Sequence, residues 1–323
     1  MGRIRASLIC LKLAALCGVA ATANAEPLTI ATFNTEFLIR EKVHAREGLP
    51  LILTPAQEAD WTSQRRETAF QTAVGLVAPV IAGTNADVVV LTEIGPEADV
   101  NTLKTKLQSL GSSYPHVAVC ECYDPATKQH VAVLSRIPFS SVTKSLPRRE
   151  HFLQELDDEE TEADTGISKG IKVNLTFNGK PLTVYGIHLV SERAGHEDDA
   201  QRIAQASIVR RLYLRDLAEG RHVIVAGDFN ERRGDPTLVR IRGLDDIEED
   251  LIQTGLFPYF ADGEGDQRWT YEFQGERNQI DHVLLSESIR TAAKNGGIKS
   301  RVIRVTDQSV SDHSPFIVTI DFR

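Results

Sequence analysis

Beyond its first 25 residues this sequence has no apolar run long enough to cross a bilayer, no excess of positive charge and only two cysteines. A hydrocarbon core of roughly 30 Å needs about 20 apolar residues in a helix, so a helical anchor after that point is excluded. The formal net charge is -9 over 323 residues. A protein that holds polyanions by general attraction is normally basic, so any such partner must be met by local cations or by a bound metal. Cys120 and Cys122 stand two positions apart, on one face of a strand, which suits either a bridge or two buried thiols. No second cysteine pair and no H-x-x-x-H spacing accompanies them, which argues against zinc. No nucleophile elbow of the G-x-S-x-G kind is expected at any serine or cysteine, and the phosphate-cradling G-x-x-x-x-G-K-[ST] loop is missing.

What is present begins with a leader. Arg3 and Arg5 precede an apolar stretch from Leu8 to Ala21 interrupted by Lys12, and Ala23-Asn24-Ala25 sets small residues where a signal peptidase reads. Fourteen residues is short for a span, and Leu16 is too bulky for a lipoprotein site at Cys17. Cleavage after Ala25 is therefore expected, with a periplasmic or extracellular destination. Loss of Arg3, Arg5 and Lys12 moves the formal charge from -9 to -12. Residues 26–323 then form a single domain, with no repeat and no linker.

Short apolar runs alternate with amphipathic segments. Strands are expected at Thr29–Phe33, Val88–Thr92, Val117–Cys120, Val131–Ser135, Ile171–Phe177, Leu182–His188, His222–Ala226, Gln279–Ser286 and Phe316–Asp321. Several are continuously apolar, as strands covered on both faces are. Helices are expected from about Gln64 to Ile81 and from about Asp198 to Ala218. Asn178-Gly179 between two strand patterns signals a hairpin. Arg40–Trp61 and the acidic run Glu155–Asp164 read as inserted loops, and Glu97 and Asp99 as solvated surface.

Six segments place polar or ionisable residues at the ends of apolar strands. They are Thr32–Glu36, Leu91–Glu93, Tyr185–Leu189, Gly227–Asn230, Ile280–His282 and Ser311–Pro315. Burying such groups is costly unless they are paired or bind a cation. One strand-end carboxylate is a turn or a helix cap; six such segments point to one site at a common sheet edge. Carboxylates and an amide are hard oxygen ligands suited to Mg²⁺, Mn²⁺ or Ca²⁺. Two histidines among them suit proton transfer or donation to a developing charge. Metal-assisted attack by water is the chemistry left.

In this order the six segments resemble the endonuclease/exonuclease/phosphatase superfamily, whose fold is that of deoxyribonuclease I. Val131–Pro138 and Arg268-Trp269-Thr270-Tyr271 add to the likeness. The resemblance implies a four-layer α/β/β/α sandwich of two packed mixed sheets with helices outside. It implies Glu93 as the principal metal ligand, with Asn34 and Asp312 close to the ion. Asp228 would orient or deprotonate the attacking water, and Asn230 would position that water or a phosphate oxygen. His188 and His313 would contact the phosphate, and Asp281 would hold the tautomer of His313. Glu36 either joins the metal site, as in some relatives, or faces solvent. The cofactor implied is a divalent cation, Mg²⁺ foremost.

The chain departs from the pattern in three places. Arg40–Trp61 lengthens the interval between Asn34 and Glu93. Tyr185-Gly186-Ile187-His188 replaces the tyrosine-asparagine pattern of abasic-site endonucleases and resembles the deoxyribonuclease, sphingomyelinase and inositol-phosphatase branches. Ser168-Lys169-Gly170 stands where many secreted bacterial nucleases have arginine-proline. The leading expectation is an exported nuclease acting on DNA or RNA. Its basic rim would come from Arg136, Lys144, Arg148, Arg149, Arg193, Arg232 and Arg233. The alternatives are a phospholipid or inositol-phosphate phosphoesterase, with Gly48–Leu53 as its apolar loop, and an inactive binding protein. No obligate protein partner is expected.

Overall fold

A computed structural model describes residues 26–147, 150–156, 159–191, 196–243, 256–258 and 269–322. The expected leader, residues 1–25, lies outside the described residues. One six-stranded sheet contains β1 (Leu28–Leu38), β2 (Val88–Ile94), β3 (His116–Val119), β4 (His130–Ser135), β15 (Ala293–Val302) and β16 (Phe316–Phe322), in the order β15-β16-β1-β2-β4-β3. The other contains β5 (Phe139–Thr143), β8 (Gly170–Phe177), β9 (Lys180–His188), β10 (His222–Asp228), β11 (Leu256–Pro258) and β14 (Asp281–Ser286), in the order β11-β14-β10-β9-β8-β5. Both sheets are mixed: β1 runs parallel to β2 and β9 parallel to β10, while the other pairs are antiparallel.

The layering follows from the period of two in each strand. Val88 and Val90 point between the sheets, where they meet Val173, Val184, Ile224 and Val283. Val89 and Leu91 point the other way, onto α2 (Ser63–Thr84) and α3 (Glu97–Ser109) through Phe70, Val77 and Leu103. Val223 and Val225 likewise face α4 (His196–Ala218) and α5 (Pro236–Arg242). Burying a Val, Leu or Ile side chain completely stabilises by about 1.5–3 kcal/mol, so strands apolar on both faces are held by two cores at once. The result is helix, sheet, sheet, helix. Asn178 and Gly179 have φ of 49° and 74°, the left-handed pair of a two-residue hairpin turn joining β8 to β9.

Several segments differ from expectation. The Arg40–Trp61 interval is ordered: a 3-10 turn covers Arg40–Glu47, and α1 (Pro55–Asp60) is capped by Thr54 and Gln57. Val43, His44 and Trp61 are buried beneath it. Its polar composition hid this, because the packing rests on three side chains without a period. The described residues of the acidic run lie in a hairpin rather than a loop, Glu155 and Leu156 ending β6 (Glu150–Leu156) and Glu159 to Asp164 within β7 (Glu159–Thr165). Asp99 is 3% exposed and accepts from the backbone N–H of Arg40 at 2.9 Å, so it is a buried anchor for that interval and not solvated surface. Helices α1, α3, α5 and α6 (Glu287–Ala292) went unread, three of them being only six or seven residues long. The letters Gly166-Ile167-Ser168-Lys169-Gly170 do spell G-x-S-x-G, but they lead into strand β8 and not into a helix, so they form no nucleophile elbow. Cys120 and Cys122 are joined by a disulfide, which decides between the two readings of that pair.

Candidate active site

Both sheets end at the same side of the sandwich, and their registers bring the polar residues together. Asn34 lies opposite Thr92 on the paired ends of β1 and β2. In the second sheet, Asp228 lies opposite His188 of β9 on one side and Asp281 of β14 on the other, forming one row across three strands. The loop before β16 brings Asp312 and His313 to the same place.

The backbone at this edge is unusual. Glu36, Phe37, Glu93 and Asn230 have φ of 46°, 50°, 53° and 50°, a left-handed region costing non-glycine residues of order 1–3 kcal/mol each. Both β1 and β2 break register here, between Asn34 and Leu38 and between Leu91 and Ile94. The bulges turn Glu36 and Glu93 out of the strict alternation. Gly227 precedes Asp228 with φ of 146°, and a Cβ there would sit 1.9 Å from the Ile187 carbonyl oxygen, so only glycine permits the close approach of β10 to β9.

Asp228 is the hub. Its Oδ2 accepts from Asn34 Nδ2 at 2.9 Å, which ties one sheet to the other. Its Oδ1 accepts from the Asn230 N–H at 2.8 Å. His188 Nε2 lies 3.8 Å and His313 Nε2 4.0 Å from Asp228 Oδ2. His313 Nδ1 is 2.7 Å from Asp281 Oδ2, a hydrogen bond between residues 32 positions apart. Asn230 Nδ2 donates to the Leu189 carbonyl at 2.9 Å.

On the other side stand the carboxylates. Glu93 Oε2 accepts from the Phe37 N–H at 3.2 Å, and the Glu36 N–H donates to Asn34 Oδ1 at 2.9 Å. Burial raises the pKa of Glu93, and Asp312 beside it raises it further. Glu36 is pushed up to about 7 by burial and then by Asp312 and Glu93, against Arg46. Burial and Asp281 push Asp228 up to about 7. Burial alone would depress His313, but Asp281 and Asp312 raise it well above the usual histidine range. His188 is held well below that range by burial, Lys169 and His313. The two imidazoles are thus shifted in opposite directions by their surroundings.

Glu36 Oε2 is buried without a hydrogen-bond donor. The nearest cation to it is the Arg46 guanidinium, 4.0 Å away, so one arginine stands against the carboxylates of Glu36, Glu93 and Asp312. Glu36, Glu93, Asp312 and the Asn34 amide fit a hard divalent cation in donor type and charge. Asp228, Asp281 and His313 have ligand atoms within 4.8 Å of one another, with Asp281 Oδ2 bonded to His313 and Asp281 Oδ1 without a partner.

An open cavity of about 350 Å³ has Glu93, Lys169, His188, Asp228, Asn230, Asp312 and His313 in its wall, while Asn34, Glu36 and Asp281 do not line it. Lys169 was not expected here. It enters from the start of β8, donates to Gln129 Oε1 at 3.0 Å, and its pKa is lowered by burial against the pull of Asp124, Glu93 and Asp228. The signal was its position where relatives have arginine-proline. Arg46 was missed because it belongs to the supposed loop. It donates to the carbonyls of Thr35 at 2.6 Å and of Ser309 and Val310 at 2.8 Å, clamping the segments that carry Glu36 and Asp312. Of the expected basic rim, Arg232 lines the cavity, and Arg233 beside it in sequence is exposed. Arg136 does not line it: it bonds Asn85, before β2, at the far end of the sheet. Lys144 lies 3.8 Å from Glu97. Arg148, Arg149 and Arg193 lie outside the described residues.

The sequence model of the endonuclease/exonuclease/phosphatase family matches residues 31–313. The chain belongs to that family. It is a hydrolase acting on phosphate esters, and its two mixed sheets with outer helices are the sandwich of that fold. Among solved structures it is similar to the beta toxin of Staphylococcus aureus, in a mutant with bound magnesium ions, at 14% identity and a TM-score of 0.59, over 91% of this chain and 99% of that one. It is also similar to truncated TDP2 of Caenorhabditis elegans, at 16% identity and 0.52, over 92% and 98%. A family protein from Leptotrichia buccalis gives 16% and 0.53, over 91% and 100%. No curated protein matches the chain.

Proposed function

We propose that this chain is an exported, divalent-metal-dependent nuclease that hydrolyses phosphodiesters of DNA or RNA with an activated water. The observation that carries the mechanism is the position of Asp228, whose Oδ2 has both imidazole Nε2 atoms within 4.0 Å at the mouth of the carboxylate cluster. Glu93, Glu36, Asp312 and Asn34 would hold the cation, which supplies charge neutralisation at a phosphate oxygen when bound. The magnesium in the beta toxin structure supports that choice of ion.

Asp228 accepts a proton from water while the Asn34 amide and the Asn230 N–H fix its two oxygens. His313, cationic through Asp281, donates from Nε2 to the charge that develops on the phosphate. His188, whose pKa is lowered by burial and Lys169, would donate a hydrogen bond to the phosphate. Asn230 and Lys169 flank the phosphate position from the cavity wall.

Nucleic acid is favoured over a phospholipid by the segment Gly48–Leu53. Leu49 and Leu53 pack onto the core under the first sheet, leaving Ile52 as its one strongly exposed apolar side chain, at 83%. That is too little to seat on a membrane. No helix among the described residues is long and apolar enough to cross one. Export rests on the Arg3 to Ala25 leader.

The test is a turnover panel on protein beginning at Glu26, with Mg²⁺ or Mn²⁺, against plasmid, single-stranded DNA, RNA, sphingomyelin and inositol phosphates. Cleavage of a nucleic acid is expected. Turnover of sphingomyelin or an inositol phosphate alone would overturn the nuclease reading and leave the phosphoesterase intact.

A further inference from the structure

A second cleft, of about 820 Å³, lies beside the first. The wall between them is the hairpin of β12 (Tyr271–Phe273) and β13 (Glu276–Asn278). Its side chains alternate. Tyr271, Phe273, Glu276 and Asn278 face the catalytic cavity, while Glu272 and Arg277 face the second cleft. Asp312 lines both.

The second cleft concentrates positive charge in a protein of net charge -9. Arg277, Arg301 and Arg304 all line it. The guanidinium of Arg304 lies 3.5 Å from the centre of the Trp269 ring, and that of Arg277 lies 5.0 Å from it. Arg304 also donates to the Trp269 carbonyl at 2.7 Å. Stacking on an indole fixes the plane of a guanidinium, whose edge N–H groups can still donate to a planar or tetrahedral anion. Glu272, 3.2 Å from Arg277, is the opposing carboxylate. Two carboxylates, Glu272 and Asp312, stand against three arginines, of which Arg301 also donates to the Thr84 carbonyl at 3.1 Å.

We propose that this cleft is a subsite for a backbone phosphate flanking the scissile one, so that the enzyme grips an extended polynucleotide strand across the hairpin. The inference rests on the nuclease reading and adds to it the class of substrate: a strand with at least one phosphodiester beyond the bond that is cut. A general basic surface is unnecessary if cations are placed only where the strand must lie. The cleft then explains how an acidic protein meets a polyanion.

The test compares kcat/KM on a deoxydinucleotide, which has one phosphodiester, with that on a deoxypentanucleotide, at several salt concentrations. The pentanucleotide should be favoured at least tenfold by the wild-type protein. In the double variant Arg277→Ala, Arg301→Ala that ratio should fall about tenfold. The salt slope should also shrink, by about 0.7 for each single-strand phosphate that is no longer neutralised. Arg277→Lys, which keeps the charge, should recover part of the ratio. Arg304 is left in place because it covers Trp269. A ratio unchanged in the double variant, or no preference for length in the wild type, overturns the subsite while leaving the nuclease standing. If neither these oligonucleotides nor ribo-oligonucleotides of the same lengths are cleaved, the nuclease reading falls and the subsite with it. Loss of binding to phosphatidylserine vesicles in the double variant, without a change in the length ratio, would assign the cleft to lipid instead.

Discussion

The ends of the two sheets meet at one site but carry different chemistry. The first sheet brings an amide and carboxylates: Asn34 and Glu36 on β1 and Glu93 on β2, with Asp312 from the loop before β16. The second brings carboxylates paired with imidazoles, in the row of His188, Asp228 and Asp281, with His313 bonded to Asp281. Each side keeps one buried carboxylate oxygen without a hydrogen-bond donor, Glu36 Oε2 on the first and Asp281 Oδ1 on the second. They differ in their partners: Asp228 and Asp281 are bonded to Asn34, Asn230 and His313, whereas Glu36 has Arg46 at 4.0 Å and Glu93 accepts from the Phe37 N–H. The contrast matches the two tasks proposed above: the side of clustered carboxylates for a cation, and the side of carboxylates bonded to imidazole and amides for moving a proton.

If that division is right, the largest loss should come from the proton-moving hub. Asp228→Asn should lower kcat by about 10²–10⁴-fold, the range for a general acid–base group, with much less change in KM. Steady-state kinetics on a nucleic-acid substrate checks this. A change confined to KM would place Asp228 among the binding groups and blur the two sides into one.

The next effect is smaller and tests coupling within the second side. His313→Ala and Asp281→Asn should each slow turnover, and the double change should cost much less than the product of the two. Each leaves KM nearly unchanged if Asp281 acts through His313. Fully multiplicative losses would mean that the 2.7 Å hydrogen bond does not carry the function of either residue.

The smallest effect belongs to the frame of the first side. Arg46 is bonded to carbonyls on the segments of Glu36 and Asp312. Hydrogen bonds to a charged group contribute about 1.5–3 kcal/mol each, and a truncated site relaxes, so Arg46→Ala should destabilise by about 2–3 kcal/mol. Denaturant unfolding reads this directly. Its turnover at saturating Mg²⁺ should stay closer to wild type than that of Asp228→Asn.

How much of this was legible in the sequence differs between the same two sides. The strands were readable because Val88–Leu91 and His222–Ala226 are apolar at nearly every position, as burial on two faces demands. The residues of the cluster were readable because each one stands at the end of such a run. Lys169 and Arg46 were not, since neither follows a strand and each acts through partners distant in sequence. Lys169 reaches Gln129, and Arg46 reaches Ser309 across 263 positions. Asp99 was misread for the same reason: a carboxylate near a helix start looks solvated until Arg40 is seen above it. The basic rim failed because arginine in a sequence says nothing of where it points. Arg277, Arg301 and Arg304 were not singled out, while Arg136 sits at the far end of its sheet. Short helices escaped because six or seven residues show less than two turns of period.

The central claim is that the carboxylate side binds a divalent cation independently of the imidazole side. Titration of Mn²⁺ into metal-free protein beginning at Glu26, followed by the electron paramagnetic resonance of free Mn²⁺, tests it without turnover. The account predicts saturable binding in the wild type that Glu93→Gln weakens by at least tenfold and that His313→Ala retains, with the same unfolding midpoint for apo wild type and apo Glu93→Gln within about 1 kcal/mol. Binding that survives Glu93→Gln, or that is lost in His313→Ala, would contradict it.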